Sequence, residues 1–399
     1  MRQKHCVLAI VACMVAGCGQ EPGMDAGAVD IDILPQWTLI KEQRIGRLND
    51  PDSGFTRVSA VAEGASGKLY VLDAEERQVR VFDPDGKMIR AMGRAGSGPG
   101  EFDLPVDLEL KGDTLCVTDI GERKLTLFRT DGTLLGVVPA RGVQIKVGKP
   151  AVPITIAPRR LRSDGRFDSA FRIASRRVAV PDSLLVPELL FDSRGEVTDT
   201  VGWRMFYPDV WPQVALQAGT VFLTNIPDRG RPLYAADDRR RIIVERKPAL
   251  DGSPYYVRLI LQDGDSSEHR FYYRPHRAIE KQKVVSEIVE SSGLLSRGMS
   301  GSEARQTVER LVAVPEYQPP ITRVLMGADQ SIWLHRETWR SGDTETFERW
   351  IVLDSEARPL AQLVLPPKTR LRWASRSHIW VVEGDDLGIP WVVRYRLAA

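Results

Sequence analysis

Lys68-Leu69-Tyr70-Val71-Leu72-Asp73, then Val79-Arg80-Val81-Phe82, then Asp85-Gly86, returns later in the chain as Thr114-Leu115-Cys116-Val117-Thr118-Asp119, Leu125-Thr126-Leu127-Phe128 and Asp131-Gly132. Equivalent residues lie 46 apart: Asp73 and Asp119, Phe82 and Phe128, Gly86 and Gly132. Each run alternates apolar and other residues with the period of a strand, and each Asp-Gly pair suits a tight hairpin in which φ is positive. A four-stranded unit repeating every 40–50 residues or so is the signature of a propeller blade, which buries its faces only by stacking on copies of itself. The spacing therefore predicts an all-β propeller.

The connector between the two units reads Gly93-Arg94-Ala95-Gly96-Ser97-Gly98-Pro99-Gly100-Glu101-Phe102, followed by Leu104-Pro105. It resembles the blade junction of NHL-repeat propellers. It is not a phosphate loop, because no Gly-Lys-Ser/Thr ends it and a strand follows. Leu190-Phe191-Asp192-Ser193-Arg194-Gly195-Glu196-Val197 belongs to a third unit. Thr220 to Thr224 and Tyr256 to Ile260 read as strands of a fourth, and Asp329 to His335 with Arg349 to Asp354 as a fifth. The last unit, His378 to Glu383 and Trp391 to Tyr395, stops one strand short. Trp37-Thr38-Leu39-Ile40 is placed to supply that strand and close the ring, which removes the free edges. The count is six blades. The C-terminal blade and the first junction together resemble a family of bacterial six-bladed propeller lipoproteins of unassigned function. That resemblance covers about 35–399 as architecture.

One segment breaks the strand pattern. In 275–320, Val284, Val285, Ile288 and Val289 share one helical face, and Ser300 with Glu303 fits a capping box ahead of Ala304, Val308, Leu311 and Val312. A short helical insertion between late blades is expected there.

The N-terminus carries its own signal. Arg2 and Lys4 precede an apolar run from Cys6 to Ala16, too short to span a membrane, and Val15-Ala16-Gly17-Cys18 follows. This resembles a lipobox, which implies lipidation of Cys18 and a stable anchor through more than one acyl chain. Residues 1–17 then form the signal peptide, 18–35 a flexible tether and 36–399 the propeller. Gly19, not Asp, follows the cysteine and implies an outer-membrane location in the bacterial envelope. Without the two leader cations, bases and acids balance at 53 each out of the 55 Lys+Arg and 53 Asp+Glu of the whole chain. That balance argues against a nucleic-acid partner held by bulk charge. Only Cys116 remains for the folded domain, so neither a disulfide nor a cysteine metal cluster is expected.

No hydrolase elbow or zinc motif occurs, and the Asp-rich turns lack the bidentate Glu of a calcium loop. The leading expectation is a monomeric, non-catalytic binding module for a protein, peptide or glycan. The alternative is a lactonase-like hydrolase or lyase with a calcium-like ion in the central channel. Blade geometry places the loops after second strands and the blade connectors on one face. The expected ligand residues are accordingly Asp73, Arg94, Glu101, Phe102, Asp119, Arg123, His335 and Glu383, with no catalytic residue and no metal ligand assigned.

Overall fold

A computed structural model describes residues 29–46, 54–149, 151–173, 183–206, 213–216, 219–223, 231–238, 240–247, 255–263, 265–273, 278–341 and 345–399. The protein is an all-β six-bladed propeller. Blade 1 stacks Val58–Glu63, Leu69–Asp73, Gln78–Phe82 and Met88–Met92 from the channel outward, all antiparallel. Blade 2 repeats this with Pro105–Lys111, Thr114–Asp119, Lys124–Arg129 and Leu134–Pro139. The inner strands of blades 3 to 6 are Val152–Leu161, Leu233–Ala236, Ile321–Met326 and Thr369–Ala374. Blade 3 also carries a short extra strand, Val143–Val147, on the inner edge of Val152–Leu161.

The two ends of the ring are chemically distinct. At one end, Val58 pairs with Asp73 and Pro105 with Asp119, beside the blade connectors. At the other, Glu63 pairs with Leu69 and Lys111 with Thr114, beside the tight hairpins. In those hairpins Asp83, Asp192 and Asp354 each accept two backbone N–H bonds across the turn. This is the local Asx geometry that makes aspartate a turn residue.

Ring closure follows the sequence expectation. Thr38–Ile45 pairs antiparallel with Pro390–Ala398 as the outer strand of blade 6. The segment before it is more engaged than expected. Val29–Asp30 pairs in parallel with Phe271 and Tyr272 on the outside of blade 4, and Ile31 is only 1% exposed. Gln362 of blade 5 then bonds the carbonyls of Leu34 and Pro35 and accepts from the Trp37 N–H. Residues 29–35, expected as part of the 18–35 tether, thus strap blades 4, 5 and 6 together. An apolar side chain at Ile31 and backbone groups in register with a sheet edge are what hold them there. Residues 1–28, including the signal peptide and Cys18, lie outside the described residues.

The insertion expected in 275–320 is present as α1 (Lys281–Ser291) and α2 (Gly301–Leu311), and Ser300 and Glu303 form the capping box. Gln213–Leu216 and Gly219–Phe222, however, form a separate hairpin and not a strand of blade 4. Val214, Val221 and Leu223 pack with Val285, Ile288, Ala304 and Val308 in a satellite core. The alternation around Val221 marks a strand, but not its partners, because the helices that cover it follow much later in the chain, at Val285, Ile288, Ala304 and Val308.

Candidate functional site

The connector end engages most of the side chains expected to bind a ligand within the fold itself, while Arg123 and most of Arg94 stay exposed. Asp73 accepts bonds from the Thr56, Arg57 and Glu76 N–H groups, and Asp119 from those of Asp103, Leu104, Gly121 and Glu122. Each buried aspartate staples the incoming connector to its own turn. Arg94 pairs with Glu101, which also accepts from the Gly98 N–H, so the connector is closed on itself. Phe102 is fully buried against Gly93 and Phe128. A Cβ at Gly93 would overlap the Phe102 ring, which explains that glycine. Arg77 and Arg123 occupy the same left-handed turn position, at φ 56° and 52°. Glu383 holds Lys41 at 2.9 Å and the Tyr395 hydroxyl. His335 lies within Ile332–Ser341 and not at a strand end, packed on Trp350 and only 4% exposed. Burial and the nearby Arg323 push its imidazole down to about 3, so it is neutral. The repeat made these positions look functional because a repeated staple and a repeated ligand contact have the same sequence periodicity.

The opposite end holds the open polar site. The ends of the six inner strands ring a cavity of about 430 Å³ that includes Glu63, Glu109, Lys111, Arg160, Asp237 and Arg372. Glu63 accepts from Trp380 Nε1 at 3.0 Å and lies 2.5 Å from His378 Nε2. Burial alone would raise its pKa, but those bonds and the Arg394 charge hold it below the ordinary carboxylate value. Glu109 behaves in the opposite way. Burial and Asp107 push it up to about 7, against Arg160, the Leu161 N–H and Lys111. Arg372 also lines this cavity; it is half-buried and reaches down the channel toward the connector end, where it donates only a long bond, 3.4 Å, to the Val58 carbonyl. It forms no ion pair among the described residues. Burial, Arg370 and Arg323 lower its pKa, against the charges of Glu348 and Asp107. Three cations, Lys111, Arg160 and Arg372, thus line the cavity with Glu63, Glu109 and Asp237.

A second cavity opens beside it. Five seams of the ring are filled by apolar clusters, between blades 1 and 2, 2 and 3, 4 and 5, 5 and 6, and 6 and 1. Among the described residues, the seam between blades 3 and 4 is instead a polar cleft of about 370 Å³. Arg160, Ala236 and Asp237 line both cavities, so the cleft adjoins the mouth. Arg160 and Arg162 share Asp168, while Arg204 and Arg241 share Glu188. Arg204 also lies over the Phe171 and Tyr234 rings at 4.6 and 4.9 Å. The signal in the sequence was Arg159-Arg160-Leu161-Arg162, which breaks the apolar alternation of Val152-Pro153-Ile154-Thr155-Ile156. It was masked by an overall arginine excess, 43 against 12 lysines, that reads as a property of the whole chain.

Among the described residues no group of three or more His, Cys, Asp or Glu side chains is placed to hold a metal ion, and no helix is long and apolar enough to cross a membrane.

A family model described as a 6-bladed beta-propeller, DUF5128, matches residues 52–136, which hold the first two blades. No curated protein matches the chain in sequence. Among solved structures, a DUF4221 family member from Bacteroides vulgatus has a TM-score of 0.50 at 10% identity, covering 91% of this chain and 98% of that one. Virginiamycin B lyase from Staphylococcus aureus gives 0.37 at 10%, covering 91% and 100%. A gluconolactonase from Xanthomonas campestris gives 0.34 at 12%, covering 91% and 100%. At such identities the likeness is one of fold alone, and the function of this chain has to be argued from its own side chains.

Proposed function

We propose that this protein is a binding module whose central channel, open at the hairpin end of the ring, captures a small polar anion or the anionic group of a larger ligand. The observation that carries this reading is Arg372. A half-buried guanidinium without an ion pair is costly unless something completes it, and carboxylates and phosphates fit its planar fork. Lys111 and Arg160 line the same cavity; of its acids Glu63 is already bonded, Glu109 is only partly charged at neutral pH, and Asp237 accepts from the Arg240 N–H. Water is excluded from one side of each group by the strands behind it, so an anion there meets an environment of lower dielectric than bulk solvent.

The reading of a hydrolase or lyase with a channel ion would rest on Glu63 and Glu109. One of these is committed to His378 and Trp380, and the other holds its proton up to about 7. Neither is poised as a metal ligand, and the binding reading uses the site as it stands.

Galacturonate serves as the probe, followed by ligand-observed NMR and calorimetry. Arg372→Gln should weaken its binding by roughly tenfold or more, the loss of one charge-assisted pair. Unchanged affinity in a folded variant would remove the mouth as the site.

The Val15-Ala16-Gly17-Cys18 signal supports a second part of the proposal: the propeller is held at the bacterial envelope by lipid on Cys18. Cys18→Ala should abolish incorporation of a palmitate analogue in cells. Label retained by the variant would rule out anchoring at this cysteine.

A further inference from the structure

We propose that Ser377, His378 and Glu63 form a nucleophilic serine centre on the rim of the channel mouth, and that it cleaves small carboxylic esters. This goes beyond the anion reading of the channel and does not depend on it.

The three side chains form a relay. Glu63 ends the inner strand of blade 1, and its Oε2 lies 2.5 Å from His378 Nε2. The other ring nitrogen, Nδ1, lies 2.9 Å from Ser377 Oγ. Against its burial, the bonds from His378 and Trp380 hold the Glu63 carboxyl below its ordinary pKa. An ionised carboxylate can only accept, so the neutral imidazole carries its proton on Nε2 and turns the lone pair of Nδ1 toward Ser377. A carboxylate that fixes the tautomer, an imidazole that serves as base and a hydroxyl within its reach are the parts of a serine nucleophile, which is recognised by geometry and roles and not by position in the sequence.

Three observations set this apart from an ordinary Ser-His turn. Such a turn needs no partner from elsewhere, yet Glu63 comes from another blade, 315 residues away in the chain. Exposure is graded: the Glu63 and His378 side chains are 11% and 14% exposed, while Ser377 is open to solvent. The ring is also clamped. Trp380 Nε1 donates to the same Glu63 oxygen at 3.0 Å, and the Trp373 ring lies against the imidazole at 4.9 Å between centroids. Ser375 Oγ stands 3.4 Å from Nδ1 as well, but it is buried and bonds the His378 carbonyl. Ser377 is therefore the hydroxyl that a substrate can reach.

An imidazole-assisted hydroxyl adds to an electrophilic carbonyl carbon, and esters release their alkoxide more readily than amides release an amine. Ser377 Oγ bonds the carbonyl carbon as its proton passes to His378 Nδ1, and the carbonyl π pair moves onto oxygen. The pair returns, the bond to the alkoxy oxygen breaks, and that oxygen takes the proton from Nδ1 to leave as an alcohol. Water then adds to the acyl carbon, giving a proton to Nδ1. Cleavage of the Ser377 ester bond releases the carboxylic acid and returns that proton to Oγ. Among the described residues the Ser377 N–H makes no hydrogen bond, and Arg376 beside it engages Asp329 only through its peptide N–H and Nε. The Ser377 N–H and the terminal nitrogens of Arg376 are the donors at hand for the developing oxyanion. Trp373 and Ala374, on the same hairpin, line the adjoining cavity of about 430 Å³, which has room for a small ester.

The test treats the full chain with a fluorophosphonate, from which an activated serine displaces fluoride, and reads the adduct by intact mass and peptide mapping. One adduct on Ser377 is expected, and none on Ser377→Ala, which changes an exposed side chain and folds. p-Nitrophenyl acetate should be turned over by the chain and not by Ser377→Ala. His378→Gln should slow both labelling and turnover roughly a hundredfold or more, the scale of one general base. Glu63 acts through His378, so Glu63→Gln should lower kcat by about a hundredfold or more and leave KM within roughly twofold. A wild-type chain that takes no label overturns the proposal, and so do an adduct on any residue other than Ser377, labelling without turnover, and full activity in a folded His378→Gln. An unchanged kcat in a folded Glu63→Gln overturns the positioning role of Glu63.

Discussion

Deleting residues 29–36 from a chain that otherwise begins at residue 29 should lower the melting temperature by about 5–10 °C, on the scale by which a few kcal/mol moves a protein of this size or smaller. The deletion removes Ile31 from the core shared by blades 4 and 5. It removes the parallel pairing to Phe271 and Tyr272 and the backbone bonds to Gln362. It also takes Asp32 away from Arg336, a guanidinium only 3% exposed. Stripping the carboxylate from a buried pair is among the more damaging single changes to a fold, roughly 3–5 kcal/mol. Extending the deletion to residue 45 should prevent stable closure, because the outer strand of blade 6 then goes as well and leaves Pro390–Ala398 as a bare edge. Thermal unfolding followed by circular dichroism checks both. Equal melting temperatures for the chain starting at 29 and the chain starting at 37 would show that the strap adds no stability.

The second large effect is on the pH dependence of stability, where His335 and Glu109 act with opposite signs. His335 has a folded pKa of about 3, below its ordinary value, so folding excludes its proton. Above about pH 6.5 the ring is neutral in both states and costs nothing. As pH falls from there toward 3, the unfolded chain takes up a proton the folded one refuses, and stability drops on the order of a few kcal/mol. His335→Gln should remove that part of the acid loss. Glu109 is held at about 7, above its ordinary value, so folding retains its proton. Its contribution is fully present below about pH 4.5 and disappears as pH rises through 7. Glu109→Gln should therefore gain in relative stability between those limits. Burial sets this first, with Asp107 and Lys111 on its own strand and Arg160 and the Leu161 N–H on blade 3; the buried Cys116 thiol lies opposite. Denaturant unfolding from pH 4 to 8 checks the pair. Parallel profiles for wild type and both variants would refute the assignment.

The architecture was legible because its causes are local and repeated. Strand alternation, Asp-Gly hairpins and the 46-residue spacing of Asp73 and Asp119 all act within a single blade. Closure by Thr38–Ile45 followed from counting strands in the last unit, since a missing strand leaves unpaired backbone groups that another segment has to satisfy. The helix pair was legible from its period and from Ser300 with Glu303. The reach of the strap was not. Val29 to Pro35 has little alternation of its own, and its conformation is imposed by edges on blades 4 and 5 that lie hundreds of residues away in the chain.

The candidate site divides the same way. The sequence by itself determined which residues recur, and recurrence selected Asp73, Asp119 and the glycine connector. These are staples, because whatever every blade needs is usually what holds a blade together. The residues that ring the mouth and the polar seam do not recur. Glu63, Glu109, Arg160 and Arg372 sit on four different blades and meet only because six inner strands converge on one axis. Charge compensation at Arg372 and around Asp168 and Glu188 depends on distances across blades, which sequence spacing does not encode. Only the tertiary structure decided that, among the described residues, the seam between blades 3 and 4 is charged, since the same arginines on an outer face would be ordinary solvated side chains.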